Sequence, residues 1–190
     1  MESMDWKAYQ EFVASVSIYR HRNNGMYKTI YPALGLVDET VELLDVLDKG
    51  LYRYRHEVIK EMGDVLWYLT ALANDLGLDM ASVVGLGEEP AIRGPDGRPD
   101  AKLAKHLLII FLRGAGKIAG RAKKALRDDG GEITADRVAD LSERLLIQAL
   151  IFHGVCSFLN QTVQGVAEEN MNKLGDRQNR NVLEGDGDDR

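Results

Sequence analysis

An all-α fold is what this 190-residue sequence predicts, and three observations carry that expectation. Apolar side chains recur at helical spacing through most of the chain, capping residues stand where those stretches begin, and Gly and Pro gather in a few short breaks between them. Asp5 is placed to cap a first helix over about 6–21, with Trp6, Tyr9, Phe12, Val13 and Val16 on its apolar stripe. Asn23-Asn24-Gly25 breaks it, and Pro32 suits the first turn of a second helix that Gly50 closes after Lys49. A third runs from about Arg53 to Leu76 and stops at Gly77; Asp79 caps a short fourth that ends near Gly85. Residues 86–100, rich in Gly, Pro and charge, read as a linker. Another long helix spans about 101–127 and breaks at Asp128-Asp129-Gly130-Gly131. Thr134 caps the next, which continues toward Gly175 with a break near Asn160. The polar tail 176–190 is expected to be mobile, or ordered only on contact.

Composition narrows the class of protein. With 45 % hydrophobic and 28 % charged residues the chain is ordinary for a globular protein, and it is long enough to bury a real core. Its longest unbroken apolar run, Leu107–Leu112, falls far short of a membrane span, and the N-terminus lacks the pattern of a signal peptide. The single cysteine, Cys156, cannot form an internal disulfide and reads as a buried thiol, so a cytoplasmic protein without a membrane partner is expected. The net charge of −6 is unevenly spread. Residues 1–90 carry 8 basic against 15 acidic side chains, residues 91–190 carry 16 against 15, and nothing suggests the basic face of a duplex-binding protein.

The acidic half holds two carboxylate pairs, Glu39-x-x-Glu42 and Glu61-x-x-Asp64, each on one face of a predicted helix. Four carboxylates on neighbouring helices repel one another, and a hard divalent cation would relieve that cost. The spacing is equally that of a solvated helix face. Lys173 and Arg177, four apart with Arg180 following, form either a phosphate-binding pair or a solvated basic patch. Tyr68, one turn beyond Asp64, and Tyr27 and Tyr31, ahead of the second helix, offer faces on which a nucleobase would stack. All three are equally at home as core or helix-packing residues, whereas Trp67 reads as core. Asn74 would hydrogen-bond a ribose or base edge, or cap a neighbouring turn.

The context of these pairs is distinctive. Gly35-Leu-Val-Asp-Glu-Thr-Val-Glu42, then Glu61-Met-Gly-Asp-Val-Leu-Trp-Tyr-Leu69, then Asn170-Met-Asn-Lys-Leu-Gly-Asp-Arg177 together resemble the MazG-like all-α nucleoside triphosphate pyrophosphohydrolases over most of the chain. The resemblance implies a helical bundle that hydrolyses a (deoxy)nucleoside triphosphate to the monophosphate and pyrophosphate. It implies Mg²⁺ or Mn²⁺, two or more ions, with Glu39, Glu42, Glu61 and Asp64 as ligands and catalytic groups. Lys173, Arg177 and Arg180 would then meet the phosphates, Tyr68 and Asn74 the nucleoside, and Arg190 would match the family's tail. A homo-oligomer, dimer or tetramer, is expected. Among such proteins the phage MazZ-type branch, acting on dGTP, is favoured; a dUTP-directed all-α pyrophosphatase and a non-catalytic nucleotide-binding regulator are the alternatives.

The helical plan reads twice. Residues 1–87 form a half that carries the carboxylates, 88–100 the linker, and 101–190 a degenerate second half. Setting Lys49 against Lys124 places Gly114 and Lys117 opposite Glu39 and Glu42. Counting back from Val166-Ala167 places Arg144 and Ile147 opposite Glu61 and Asp64. The first half has no Asn-x-x-Lys-Leu-x-x-Arg of its own, so its site needs the second half or another subunit. The run Arg113, Lys117, Arg121, Lys123, Lys124, Arg127 reads first as a solvated helix face, and second as a place where an acidic surface or a second anion docks.

Two other chemistries are set aside. A ferritin-like di-iron site needs Glu-x-x-His, and none of His21, His56, His106 or His153 follows a glutamate by three. His153, near Cys156, reads as a core histidine, since two ligands are too few for a metal. No Gly-rich phosphate loop follows a strand.

Overall fold

The computed structural model describes residues 4–19, 27–84 and 98–183, and among these every regular element is a helix. In chain order they are α1 (Trp6–Val16), α2 (Ile30–Gly50), α3 (Arg55–Leu76), α4 (Met80–Val84), α5 (Ala101–Asp128), α6 (Ala135–Phe158) and α7 (Val163–Asn179). The starts follow the expected chemistry. Asp5 accepts from the Ala8 amide, Asp100 from Leu103 and Thr162 from Gly165, each at 3.0 Å. Pro32 lies in the first turn of α2, and Gly77, at φ +71°, closes α3 in the left-handed conformation.

Two helix ends differ clearly from the sequence expectation. α1 ends at Val16 rather than near residue 21, because Ser17 turns extended and its hydroxyl donates to the Val13 carbonyl at 2.6 Å. The break near Asn160 is real: Asn160 adopts φ +57° and Thr162 starts a new helix. That helix passes straight through Gly175 to Asn179, so the first part of the expected polar tail is helical. Thr134 stands at the cap position of α6 without a side-chain cap bond, while Arg137 pairs with Asp128 and Asp129 across the α5–α6 connection. The expectations for Asn23–Gly25, Gly85, His21, most of the linker and Arg190 fall outside the described residues.

The two halves share one hydrophobic core. α2 packs on α3 and on α5, α5 on α6, and α3 runs through the middle, touching α1, α6 and α7. Leu36, Leu43, Met62, Leu66, Leu69 and Leu72 from the first half are fully buried, as is Leu108 from the second. Phe111 of α5 meets Phe152 of α6 at 6.2 Å between ring centroids. α6 has the length and apolarity of a spanning helix, yet its Leu141, Leu145, Ala149, Phe152 and Val155 are buried in this core. His153 bonds the Val84 carbonyl at 2.7 Å and burial lowers its pKa, while buried Cys156 has its thiol pKa pushed far up. Cys156 is a core residue, and His153 is half-buried.

Candidate active site

α2 and α3 lie side by side, and their facing surfaces bring three of the four sequence-predicted carboxylates together. Glu39, Glu61 and Asp64 each offer an oxygen within 4.8 Å of the other two. Glu42 stands one turn along α2, exposed and outside this trio, although its charge reaches Glu39. Burial first, then the charges of Asp64, Glu42 and Glu61, push the Glu39 carboxyl up to about 8; Lys173 acts in the opposite sense. Glu61 is only 8 % exposed. An all-oxygen donor set this compact, part buried and strained by its own charge, fits a hard divalent cation.

The second half completes the surroundings from within the same chain. α7 lies against α3, and the Lys173 ammonium is ion-paired with Asp64. Asn170 is buried with its amide 3.5 Å from Asp64, and the hydroxyl of Tyr9, on α1, donates to its oxygen at 3.1 Å. Burial and then the Asp64 charge push the Tyr9 phenol far above its usual range, so it acts as a neutral donor. Gly63 leaves room for this amide: a Cβ there would lie 3.1 Å from both Cβ and Nδ2 of Asn170. Beside Lys173 opens a cleft of about 240 Å³ walled by Lys60 and Ile59 of α3 and by Asn170, Arg177 and Arg180. Arg177 is buried; Arg180 is half exposed and pairs with Asp176 at 2.7 Å. Lys60 escaped the sequence reading, though it is one turn before Asp64, the spacing that pairs side chains on a helix, and Tyr9 stood there only on an apolar stripe.

An aromatic wall rises on the other side. Tyr68 lies against the α2 backbone at Gly35, where an added Cβ would stand 2.2 Å from its ring. Its hydroxyl is 3.5 Å from that of Tyr31, which stacks on Tyr19 at 4.5 Å between centroids. Burial, the Tyr31 hydroxyl and the charges of Glu39 and Asp64 raise the Tyr68 pKa far above its usual value. Tyr27 is exposed in the turn that leads into α2, and Trp67 is core, packed edge-on to Tyr68. Asn74 bonds across to α1: its oxygen accepts from the Gln10 side chain at 2.9 Å and its amide donates to the Gln10 carbonyl at 3.1 Å. It ties α1 to α3. Replacing Gly35 by Ala should displace the Tyr68 ring at a cost of about 1–3 kcal/mol. Urea unfolding would show the loss, and near-ultraviolet circular dichroism the changed tyrosine environment.

The helical fold and the carboxylate trio define an α-helical protein with a site that fits a divalent cation, and comparison with known proteins gives the family. Residues 29–87 match the MazG nucleotide pyrophosphohydrolase domain. The chain is also 37 % identical over 112 residues to the Gene 37 protein of Mycobacterium phage L5, covering 59 % of this chain and 90 % of that protein. No solved structure gives a significant match. The chain belongs to the MazG family and is a nucleoside triphosphate pyrophosphohydrolase, a hydrolase acting on acid anhydrides. The matched span contains Glu39, Glu42, Glu61, Asp64 and Tyr68, but neither Lys173 nor Arg177.

Proposed function

We propose that the protein hydrolyses a (deoxy)nucleoside triphosphate to the monophosphate and pyrophosphate with Mg²⁺ or Mn²⁺ held by Glu39, Glu61 and Asp64, and with Glu42 at the rim. The observation that supports this most is the carboxylate trio joined, through the Lys173–Asp64 ion pair, to a cleft where Lys60, Lys173, Arg177 and Arg180 outnumber Glu169 and Asp176. A triphosphate carries about four negative charges and cannot approach bare carboxylates, so the two walls divide the work. Bound divalent ions, two or more, would neutralise phosphate oxygens and lower the pKa of a coordinated water.

The remaining roles belong to the chain's own side chains. Lys173 holds Asp64 and is long enough to turn from that carboxylate to a phosphate. Arg177, Arg180 and Lys60 line the cleft that would receive the pyrophosphate end, and Arg177 can fork two oxygens. Tyr9 and Asn170 fix Asp64 in place. Tyr68 and Tyr31 supply the face on which the base would lie. Guanine nucleotides are expected to rank first, as the resemblance to the MazZ branch implies. A homo-oligomer belongs to this reading, since Leu34, Ile147 and Leu150 are about half exposed. The phage relative and a nucleotide substrate both favour a bacterial cytosol as the working compartment.

Chromatography of products from a panel of eight NTPs and dNTPs, with Mg²⁺ or Mn²⁺, tests the reading. Monophosphate with intact pyrophosphate, and dGTP or GTP turned over fastest, is the expected result. A marked preference for dUTP would replace the base assignment. Nucleotide binding without turnover of any of the eight would turn the site into a regulatory one.

A further inference from the structure

The second half carries a groove that the proposed reaction does not use. It has a volume of about 440 Å³ and is lined by Lys117, Gly120, Arg121, Lys123 and Lys124 of α5 and Arg144 of α6. None of these lines the cleft at Lys173. One carboxylate organises the two arginines: Asp140 accepts from Arg144 at 2.8–3.1 Å and is ion-paired with Arg121 at 3.0 Å. A guanidinium has five N–H donors, and a single carboxylate shared by two of them cannot occupy all ten. Glu143 adds a second negative charge near Arg144. Asp128 adds a third beside Lys124, so five cations face three anions in a protein whose net charge is −6. Gly120 adds no side chain, and a Cβ there would meet nothing within 4 Å, so the floor stays open.

We propose that this groove is a second anion site, which takes an oligophosphate recognised by its charge and not by a base. Among the described residues no aromatic or large apolar side chain lines the groove to stack on a nucleobase. Lys117 to Lys124 spans two turns of helix, about 10 Å. That length suits a chain of two or three phosphates and is short for a nucleic-acid track.

The internal register points the same way. Gly77 at φ +71° and Asn160 at φ +57° both end a long helix, and Asp79 and Thr162 two residues later both bind backbone amides at the start of the next. Those matches set Arg144 opposite Glu61, and the Lys49–Lys124 register sets Lys117 opposite Glu42. Both counterparts line the groove. Where one half presents carboxylates that would take a cation, the other presents cations that would take an anion. The lining and its charge stand whether or not the halves are true repeats.

Calorimetric titration of the full chain with inorganic tripolyphosphate, in EDTA and at low and moderate salt, tests the site. Without divalent ions the carboxylate trio repels the probe. Binding should weaken about tenfold in a Lys117→Ala/Lys124→Ala variant, with a shallower salt dependence, and should persist in Lys173→Ala. Single Lys124→Glu, checked for fold by circular dichroism, should weaken it in the same sense. No measurable binding at low salt, or binding that the groove variants leave unchanged, would overturn the proposal. Loss of all binding in Lys173→Ala alone would also overturn it and would assign the phosphate to the α3–α7 cleft, leaving the proposed reaction intact. Tighter groove-dependent binding of a single-stranded oligonucleotide than of tripolyphosphate would replace the ligand class.

Discussion

Glu61→Gln is expected to lower turnover by more than about a hundredfold while leaving the helical signal and the unfolding midpoint close to those of the parent. Loss of a partner one step removed from a metal costs about 10–100-fold, and Glu61 would be a direct ligand. Its carboxylate is the most buried of the trio and shares one helical face with Asp64, so glutamine keeps the shape and removes the charge. In metal-free protein the change also removes a repulsion on Glu39, so stability should hold or rise. Steady-state rates together with thermal unfolding separate the two effects. Full activity in this variant would remove the trio from the mechanism.

A second large effect concerns pH. Glu39 has its folded-state pKa raised from 4.5 to about 8, chiefly by burial and then by Asp64, Glu42 and Glu61. Below about pH 4.5 the group is protonated in folded and unfolded chains alike and imposes no penalty. Between 4.5 and 8 the folded chain keeps a proton that the unfolded chain has lost, so metal-free stability falls as pH rises through this window. Allowing for partial solvent contact, the decline due to Glu39 should reach roughly 2–4 kcal/mol by pH 8. Urea unfolding in EDTA at pH 5 and pH 8 should show it, and Glu39→Gln should flatten it. A divalent cation competes with that proton, so stabilisation by Mg²⁺ or Mn²⁺ should be larger at pH 8 than at pH 5. An equal stability of the parent at both pH values would mean that Glu39 is not crowded by its neighbours.

Much of the fold was legible because its signals are local. Asp100 and Thr162 accept from amides three residues on, Gly77 donates its own amide to the last carbonyls of α3, and each marks a helix boundary where a sequence reading expects one or close to it. The misplaced ends have equally local causes that compete with propensity. Ser17 bonds back to Val13, and Gly175 is carried within a helix whose Val163, Val166 and Ala167 are anchored in the core. Glu39, Glu61 and Asp64 could be read as a cluster because helix periodicity fixes their faces. What periodicity cannot fix is which helices meet. The Tyr9–Asn170 bond joins residues 161 apart, and the Asp64–Lys173 pair joins residues 109 apart. Asn74 shows the converse: it lies on the same helix as the site, but Gln10 from α1 takes both ends of its amide.

The most direct test of the central claim is turnover in ¹⁸O-labelled water, with Mg²⁺ and the triphosphate that the panel ranks first, followed by mass spectrometry of both products. Attack on the α-phosphorus predicts one labelled oxygen in the monophosphate and none in the pyrophosphate, with label incorporation abolished by Glu61→Gln. Label in pyrophosphate, in free phosphate, or in products formed equally fast by Glu61→Gln would contradict it.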